Sequence, residues 1–349
     1  EMNIRDWSSD VCSSDLGFVL ASALAPSLVQ EVGHIRAFAA LASTASAVTL
    51  AFAFFVSPPV WMALRLVQGA CYAGMIIVVE SWLNASTGRQ ARGRTLAVYM
   101  IVVYAGWAAS QPLLDLAPPD GFGLFALVSV CLSMALVPIT LTRAGVPGVV
   151  LARRLGFGEL YRTSPLALAG AFMLGVSTSA FFGMGPTFAL RAGLAEAAIG
   201  SFLSMMLLGA LAAQWPLGWV SDLVDRRSVI IGATGVAAGI AVLLALSPEA
   251  DLARLLVLSA LLGATTMPVY SICVAHANDY LDESAFVAAA SGLILVYGAG
   301  SAIGPLGASL VMEVVGPAGL FLFMAATLGL LCAFGVFRLT RRTAVAGAD

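Results

Sequence analysis

The sequence is poor in charge and empty of lysine. Charged residues make up 10% of its 349 positions, and all 17 basic residues are arginine. Soluble domains carry about 25% charged residues, so an ordinary soluble fold is excluded. The missing lysine reads as a GC-rich bacterial coding bias and carries no mechanism. A net charge of −2 leaves no electrostatic footprint for a nucleic acid, which is excluded as a partner. The only histidines, His34 and His276, fall at helix ends and do not form a metal-binding pattern. Of five cysteines, Cys71, Cys131, Cys273 and Cys332 sit in apolar segments without paired spacing. They read as small core residues, not as a disulfide framework or a metal site. No glycine-rich phosphate loop, catalytic triad or zinc motif occurs. The chain is therefore read as encoding no enzyme, no cofactor site and no ATP drive.

What is present is hydrophobic surface, 60% of residues with a mean hydropathy of +0.97. It is cut into segments near 17–29, 37–56, 60–82, 95–114, 121–142, 164–184, 197–217, 229–247, 252–273, 285–312 and 317–338. Most have the length of a helix crossing a bilayer core of ~30 Å. Eleven transmembrane helices are expected, separated by breaks such as Ser57-Pro58-Pro59 and Ser247-Pro248-Glu249. Arginine sets their orientation. Arg36, Arg89, Arg92, Arg94, Arg143, Arg153, Arg154, Arg162, Arg226, Arg227, Arg338, Arg341 and Arg342 fall on one side; Arg191 and Arg254 fall on the other. The positive-inside rule places the first set, and with it the C-terminus, in the cytoplasm. The connection at 276–284 is the exception, since it is acidic (Asp279, Asp282, Glu283) on the cytoplasmic side.

An internal repeat recurs at an offset of about 194 residues. It pairs Gly106…Ser110 with Gly300…Gly304, Asn84 with Asn278, and Gly33-His34-Ile35-Arg36 with Asp225-Arg226-Arg227-Ser228. Parallel halves of this kind are a transporter architecture. The first half shows five helices and the second six. Asp6–Leu16 (DWSSDVCSSDL) resembles the in-frame translation of a sequencing adapter, so residues 1–16 are read as an artefact and one helix as lost upstream.

Arg65 and Gln68 stand inside the apolar segment at 60–82. A charge inside a membrane helix costs at least ~2.5–3.5 kcal/mol on insertion scales, and chains that tolerate it face the charge to a cavity. At 100° per residue, Arg65, Gly69, Tyr72, Ile76 and Glu80 lie within roughly 80° of one another. Arg65 and Glu80 stand about 22 Å apart along the axis, so they do not pair.

Three motifs resemble the major facilitator superfamily. Arg65-x-x-Gln68-Gly69 is similar to that family's fourth-helix motif, whose arginine is associated with proton coupling. Gly218-Trp-Val-Ser-Asp222-Leu-Val-Asp225-Arg226-Arg227 looks like its cytoplasmic loop motif, in which the aspartate ties helix ends to arginines; Asp225 stands where a glycine is usual. The first-half copy, Pro26 to Arg36, has Gln30 in place of the aspartate. Gly300-x-x-x-Gly304-Pro305-x-Gly307 resembles an exporter's glycine-proline motif, which decays in the first half to Gly106…Ser110-Gln111-Pro112. Gly300, Gly304 and Pro305 also suit close helix packing. Glu80-Ser-Trp-Leu-Asn84 and Gln214-Trp-Pro-Leu-Gly218 are similar to the YcaD-like bacterial branch.

The resemblance implies an all-α membrane protein of two six-helix halves with the first helix lost. Residues 1–16 are set aside, 17–142 and 164–338 are the halves, 143–163 links them and 339–349 is a cytoplasmic tail. It implies a monomeric secondary transporter of a small solute in lipid, in the bacterial inner membrane, working by alternating access and coupled to protons. Arg65, Gln68, Gly69 and Glu80 are its coupling candidates, Glu80 being either a proton acceptor or an anchor for the arginines at 89–94. Tyr72, Phe181 and Tyr270 are its solute contacts. Gly218, Asp222, Arg226 and Arg227 are its gating group. The other reading is a non-transporting receptor on the same fold, which the short cytoplasmic connections disfavour.

Overall fold

The computed structural model describes residues 31–55, 57–86, 89–110, 121–142, 157–247, 251–281 and 286–340, together with 16, 17, 21, 24, 25, 27–29 and 113. The expected artefact and most of the linker and tail lie outside these residues. The chain divides into two compact units, 1–151 and 152–349.

In the first unit, α1 (His34–Phe54), α2 (Pro58–Ser86), α3 (Arg89–Ser110) and α4 (Phe122–Leu141) follow the expected apolar segments. The described residues of the 17–29 segment are helical too, and Gly17 lies against the backbone of Leu66 in α2, where a Cβ would overlap the carbonyl. Gly33 holds φ +83 just before α1, a conformation that suits glycine. The core gathers between α1, α2 and α4, around Ala37, Phe38, Ala42, Cys71, Met75 and Val78.

The second unit holds a short α5 (Phe157–Thr163), then α6 (Pro165–Arg191), α7 (Glu196–Leu223), α8 (Arg226–Ala245), α9 (Leu252–Asn278), α10 (Phe286–Val315) and α11 (Gly319–Leu339). Residues 157–163, within the expected linker, form the short helix α5, which packs on α6. Three helix pairs dominate: α6 with α10, α7 with α9, and α8 with α11. The first two are close because glycines line the crossings. A Cβ on Gly175 would overlap the Tyr297 carbonyl, and one on Gly300 or Gly304 the carbonyls of Phe172 or Val176. Gly209 and Gly263 bring α7 and α9 together in the same way, against Ala260 and Met206. In lipid there is no hydrophobic drive between helices, so this backbone approach supplies the packing energy.

Among the described residues, nine helices are long and apolar enough to cross a membrane. Of the remaining two expected spans, α3 has an apolar stretch of only Val98–Trp107, and 17–29 is described in part. The elements are all helical, and several outrun their apolar segments. α7 continues to Leu223, so Gly218 and Asp222 belong to its last turns and not to a loop, and α9 continues to Asn278. Polar residues at helix ends keep the i→i+4 ladder after the apolar period stops, so hydropathy alone ends such helices early.

Candidate functional site

The polar group of the first unit is built on α2 and met by α1. Arg65 is half-buried, with its guanidinium 5.4 Å from the centroid of the Phe52 ring. Phe52 is held in turn by Trp61, edge-on at 5.6 Å, and by Phe125 of α4, stacked at 6.4 Å. A guanidinium over an aromatic face gains cation–π attraction there, which suits a charge inside lipid. One turn along, Gln68 donates from Nε2 to Thr49 Oγ1 and to the Tyr72 hydroxyl, both at 3.1 Å. Thr49 is fixed by donating to the Ala45 carbonyl at 2.8 Å. Both Gln68 N–H groups are therefore used, while its Oε1 is buried and finds no donor among the described residues. Such an acceptor costs about 1–3 kcal/mol until something donates to it. Gly69 is buried and Tyr72 exposed, so the expected stripe presents Tyr72 outward from the helix. Glu80 is half-buried on the same helix; the side chains of Arg89, Arg92 and Arg94 lie outside the description.

The second unit has a parallel arrangement. Gln214 of α7 donates to Ser271 Oγ of α9 at 3.2 Å, and its Oε1 is buried with no donor among the described residues. Beside Ser271, Tyr270 meets Tyr297 of α10 edge-on at 5.2 Å. Phe181 differs from its expected role. It has no exposed surface and lies 5.2 Å from Phe202 and 6.5 Å from Phe321, ring to ring. A ring enclosed on α6 by α7 and α11 does not touch a solute in this conformation. An aromatic at helical spacing looks the same in sequence whether it faces a cavity or a neighbour.

The charge cluster links three helices. Arg226, the first residue of α8, donates to Asp222 of α7 at 2.9 Å, to Asp279 at the end of α9, and to the Ala275 carbonyl at 3.4 Å. Arg227 is paired with Asp225, Nη2 to Oδ2 at 2.7 Å. The expected Asp222–Arg226 contact is present, and the aspartate in place of the usual glycine does not disturb the turn. Asp225 sits at φ −54, ψ 117, needing no positive φ, and caps α8 by accepting from the Arg227 amide at 2.9 Å. The Arg227 side chain holds the Asp225 carboxyl below its ordinary range, chiefly through these hydrogen bonds. Gly218 has open space where a Cβ would stand, so no steric demand fixes glycine there. Asp279 is the member that sequence reasoning missed, although the acidic exception on an arginine-rich side was its signal.

The repeat recurs in space within each unit. His34 opens α1 as Arg226 opens α8, and His34 Nε2 lies 3.1 Å from Ser81 Oγ of α2, the repeat position of Ala275. The same helix junction is thus tied in the first unit by an uncharged hydrogen bond. No group of three or more histidine, cysteine or acidic side chains is placed to hold a metal among the described residues.

These features agree with what the chain resembles. Residues 167–348 match the family model described as Major Facilitator Superfamily. An uncharacterized MFS-type transporter of Enterobacter sp. (strain 638) is 26% identical over 332 residues, covering 93% of this chain and 84% of that protein. The uncharacterized MFS-type transporter YcaD of Salmonella newport (strain SL254) is 25% identical over 334 residues, covering 93% and 85%. In fold, the chain is similar to the crystal structure of the E. coli fucose:proton symporter FucP, with a TM-score of 0.62 at 12% identity, covering 95% of this chain and 90% of that one. With more than half its length matched by the family model and YcaD-type transporters among its relatives, this chain belongs to the Major Facilitator Superfamily and is a multi-pass membrane transporter.

Proposed function

We propose that the protein is a proton-coupled secondary transporter of a small, largely uncharged solute, working by alternating access in a bacterial inner membrane with its arginine-rich ends in the cytoplasm. The observation that carries this reading is the Gln68 group. An amide with both hydrogens fixed and its buried carbonyl oxygen unanswered among the described residues is a preset acceptor for a donor on a solute. Arg65, one turn away, supplies the charge whose environment a proton or solute alters. Gln214 offers a second acceptor of the same kind in the other half. Tyr72 and Tyr270 supply amphipathic faces for the rest of the molecule.

The scarcity of charge around Gln68 favours a neutral, partly apolar solute, and such solutes favour efflux over uptake. Arg226 with Asp222 and Asp279 supplies the gate. Its bonds join three helix ends, and exposed ion pairs of this kind are worth about 0–1 kcal/mol each, weak enough to break and re-form in a transport cycle.

The test is thermal unfolding of the purified protein against a library of metabolites and lipophilic drugs, followed by expression in a drug-sensitive host. A ligand at 100 times its dissociation constant stabilises by about 2.7 kcal/mol. The expected result is a stabilising compound whose effect disappears in Gln68→Ala, together with raised tolerance to several unrelated lipophilic compounds. A stabilising compound with unchanged tolerance would overturn efflux in favour of uptake; stabilisation that persists in Gln68→Ala would remove Gln68 from the site.

A further inference from the structure

Trp61 stands in the first turn of α2, two turns before Gln68. Buried tryptophan N–H groups usually find an acceptor, and tryptophans near a membrane face turn theirs to water or headgroups. Trp61 does neither. Its Nε1 is buried and meets no acceptor among the described residues, while its ring is held edge-on by Phe52 of α1 at 5.6 Å. A covered donor without an acceptor carries a cost like that of the Gln68 carbonyl, about 1–3 kcal/mol until something pairs with it.

The two unanswered groups are complementary and aligned. Seven residues at 100° and 1.5 Å each put Trp61 and Gln68 within roughly 20° of each other on α2 and about 10 Å apart along it. Both side chains lean towards the start of the helix, so their tips keep a similar spacing. Between them the wall is apolar: Phe52, 5% exposed, reaches from the Trp61 ring to the Arg65 guanidinium. Packing does not call for polar groups at these positions. In the second unit, 194 residues on, α9 has Leu255 and Leu262 at the same places, 2% and 0% exposed. One half fills the two positions with leucine. The other sets a donor and an acceptor there and leaves both unsatisfied among the described residues.

We infer that α2 holds its solute at two points: Trp61 Nε1 donates to an acceptor on the solute, and Gln68 Oε1 accepts from a hydroxyl or amide N–H about 10 Å further along the same molecule. The inference rests on the Gln68 reading above and narrows its solute to one class. That class is a neutral, elongated molecule with a hydrogen-bond acceptor at one end, a donor at the other and an apolar middle. A solute with only one of these ends leaves the other buried group unpaired and binds less tightly. Trp61 is thus the specificity-determining residue that reads the far end of the solute.

The experiment is thermal unfolding of the purified full chain with three neutral phenols. They are a rigid biphenol with a hydroxyl at each end, phenylphenol, which lacks one of them, and hydroquinone, whose hydroxyls stand too close together to reach both residues. The wild type should bind the biphenol roughly three- to ten-fold more tightly than phenylphenol, the worth of one neutral hydrogen bond. Hydroquinone should bind no better than phenylphenol. Trp61→Phe keeps a ring against Phe52 and removes the N–H. It should lower biphenol affinity to that of phenylphenol, and leave phenylphenol, held by Gln68, unchanged. If Trp61→Phe itself unfolds at a lower temperature, the difference between the two compounds within that variant still reads the second contact. A biphenol with no advantage over phenylphenol in the wild type, an advantage that survives Trp61→Phe, or no saturable shift with the biphenol would each overturn the inference. If both compounds bind equally and both are lost in Gln68→Ala, this inference falls while the Gln68 reading stands. Biphenol binding that persists in Gln68→Ala would overturn both.

Discussion

Gln68 separates a binding role from a packing role. Its N–H groups are both used, yet its carbonyl is buried and unanswered among the described residues. Replacing it by an apolar side chain of similar size removes an unfavourable group along with two hydrogen bonds. Gln68→Met should therefore change stability by less than about 1 kcal/mol while transport falls. Thermal unfolding and transport on the same preparation check this, and a stability loss in proportion to the transport loss would make Gln68 a packing residue. Asp225 gives a pH dependence. Hydrogen bonds from Arg227 depress its folded pKa below the ordinary 3.8. Its contribution to stability is therefore present above that ordinary value and lost as pH falls through the depressed one. In Asp225→Asn the wild type's loss of stability on acidification below about pH 4 should be reduced, as read by unfolding midpoints across pH 3–6. The residue scale was legible only in part. Arg65 and Gln68 announced themselves as polar groups in an apolar run. Phe181 did not announce its burial, because enclosure by Phe202 and Phe321 comes from other helices.

Among the elements, the pairing of α6 with α10 carries the clearest mechanical consequence. Gly300 and Gly304 put the α10 backbone against the carbonyls of Phe172 and Val176, whereas their repeat counterpart Gly106 on α3 has open space where its Cβ would stand. Gly300→Val should cost roughly 1–3 kcal/mol, the usual range for overpacking. Gly106→Ala should fall within about ±0.5 kcal/mol; unfolding midpoints compare the two. Equal effects would mean that backbone contact at α10 is not what holds the pair. The glycine spacing was readable in sequence because close approach demands it, and its decay in the first half corresponds to the open space around Gly106. The ends of α7 and α9 were less readable, since Ser221 and Asp222 break the apolar run before Leu223, and His276 and Asn278 break it before Asp279. Asp279 went unassigned for that reason. Its partner Arg226 is 53 positions away in sequence, and only the fold brings them together.

At the scale of the whole molecule, two repeated halves carry similar devices with different chemistry. Each holds a half-buried glutamine whose carbonyl oxygen is buried with no donor among the described residues, and each ties a helix start to the end of a neighbour. The second half uses Arg226 with Asp222 and Asp279; the first uses His34 with Ser81. Charge on one side only makes the second half's junction the adjustable one. Asp279→Asn should alter transport rate while changing stability by at most about 1 kcal/mol, as expected of a partly exposed pair. Initial rates and unfolding midpoints measured together check this, and an unchanged rate would remove the junction from the gate. The family and nine of the eleven expected spans were legible from the sequence, because a bilayer forces helix length and polarity into the chain itself. Which faces meet within each half was not, because apolar residues look alike towards lipid and towards protein. The central claim is gradient-driven transport that depends on Arg65, and solute accumulation in proteoliposomes under an imposed pH gradient tests it most directly. The account predicts accumulation by the wild type, its collapse when the gradient is dissipated, and none by Arg65→Ala inserted at the same level. Undiminished accumulation by Arg65→Ala would contradict it.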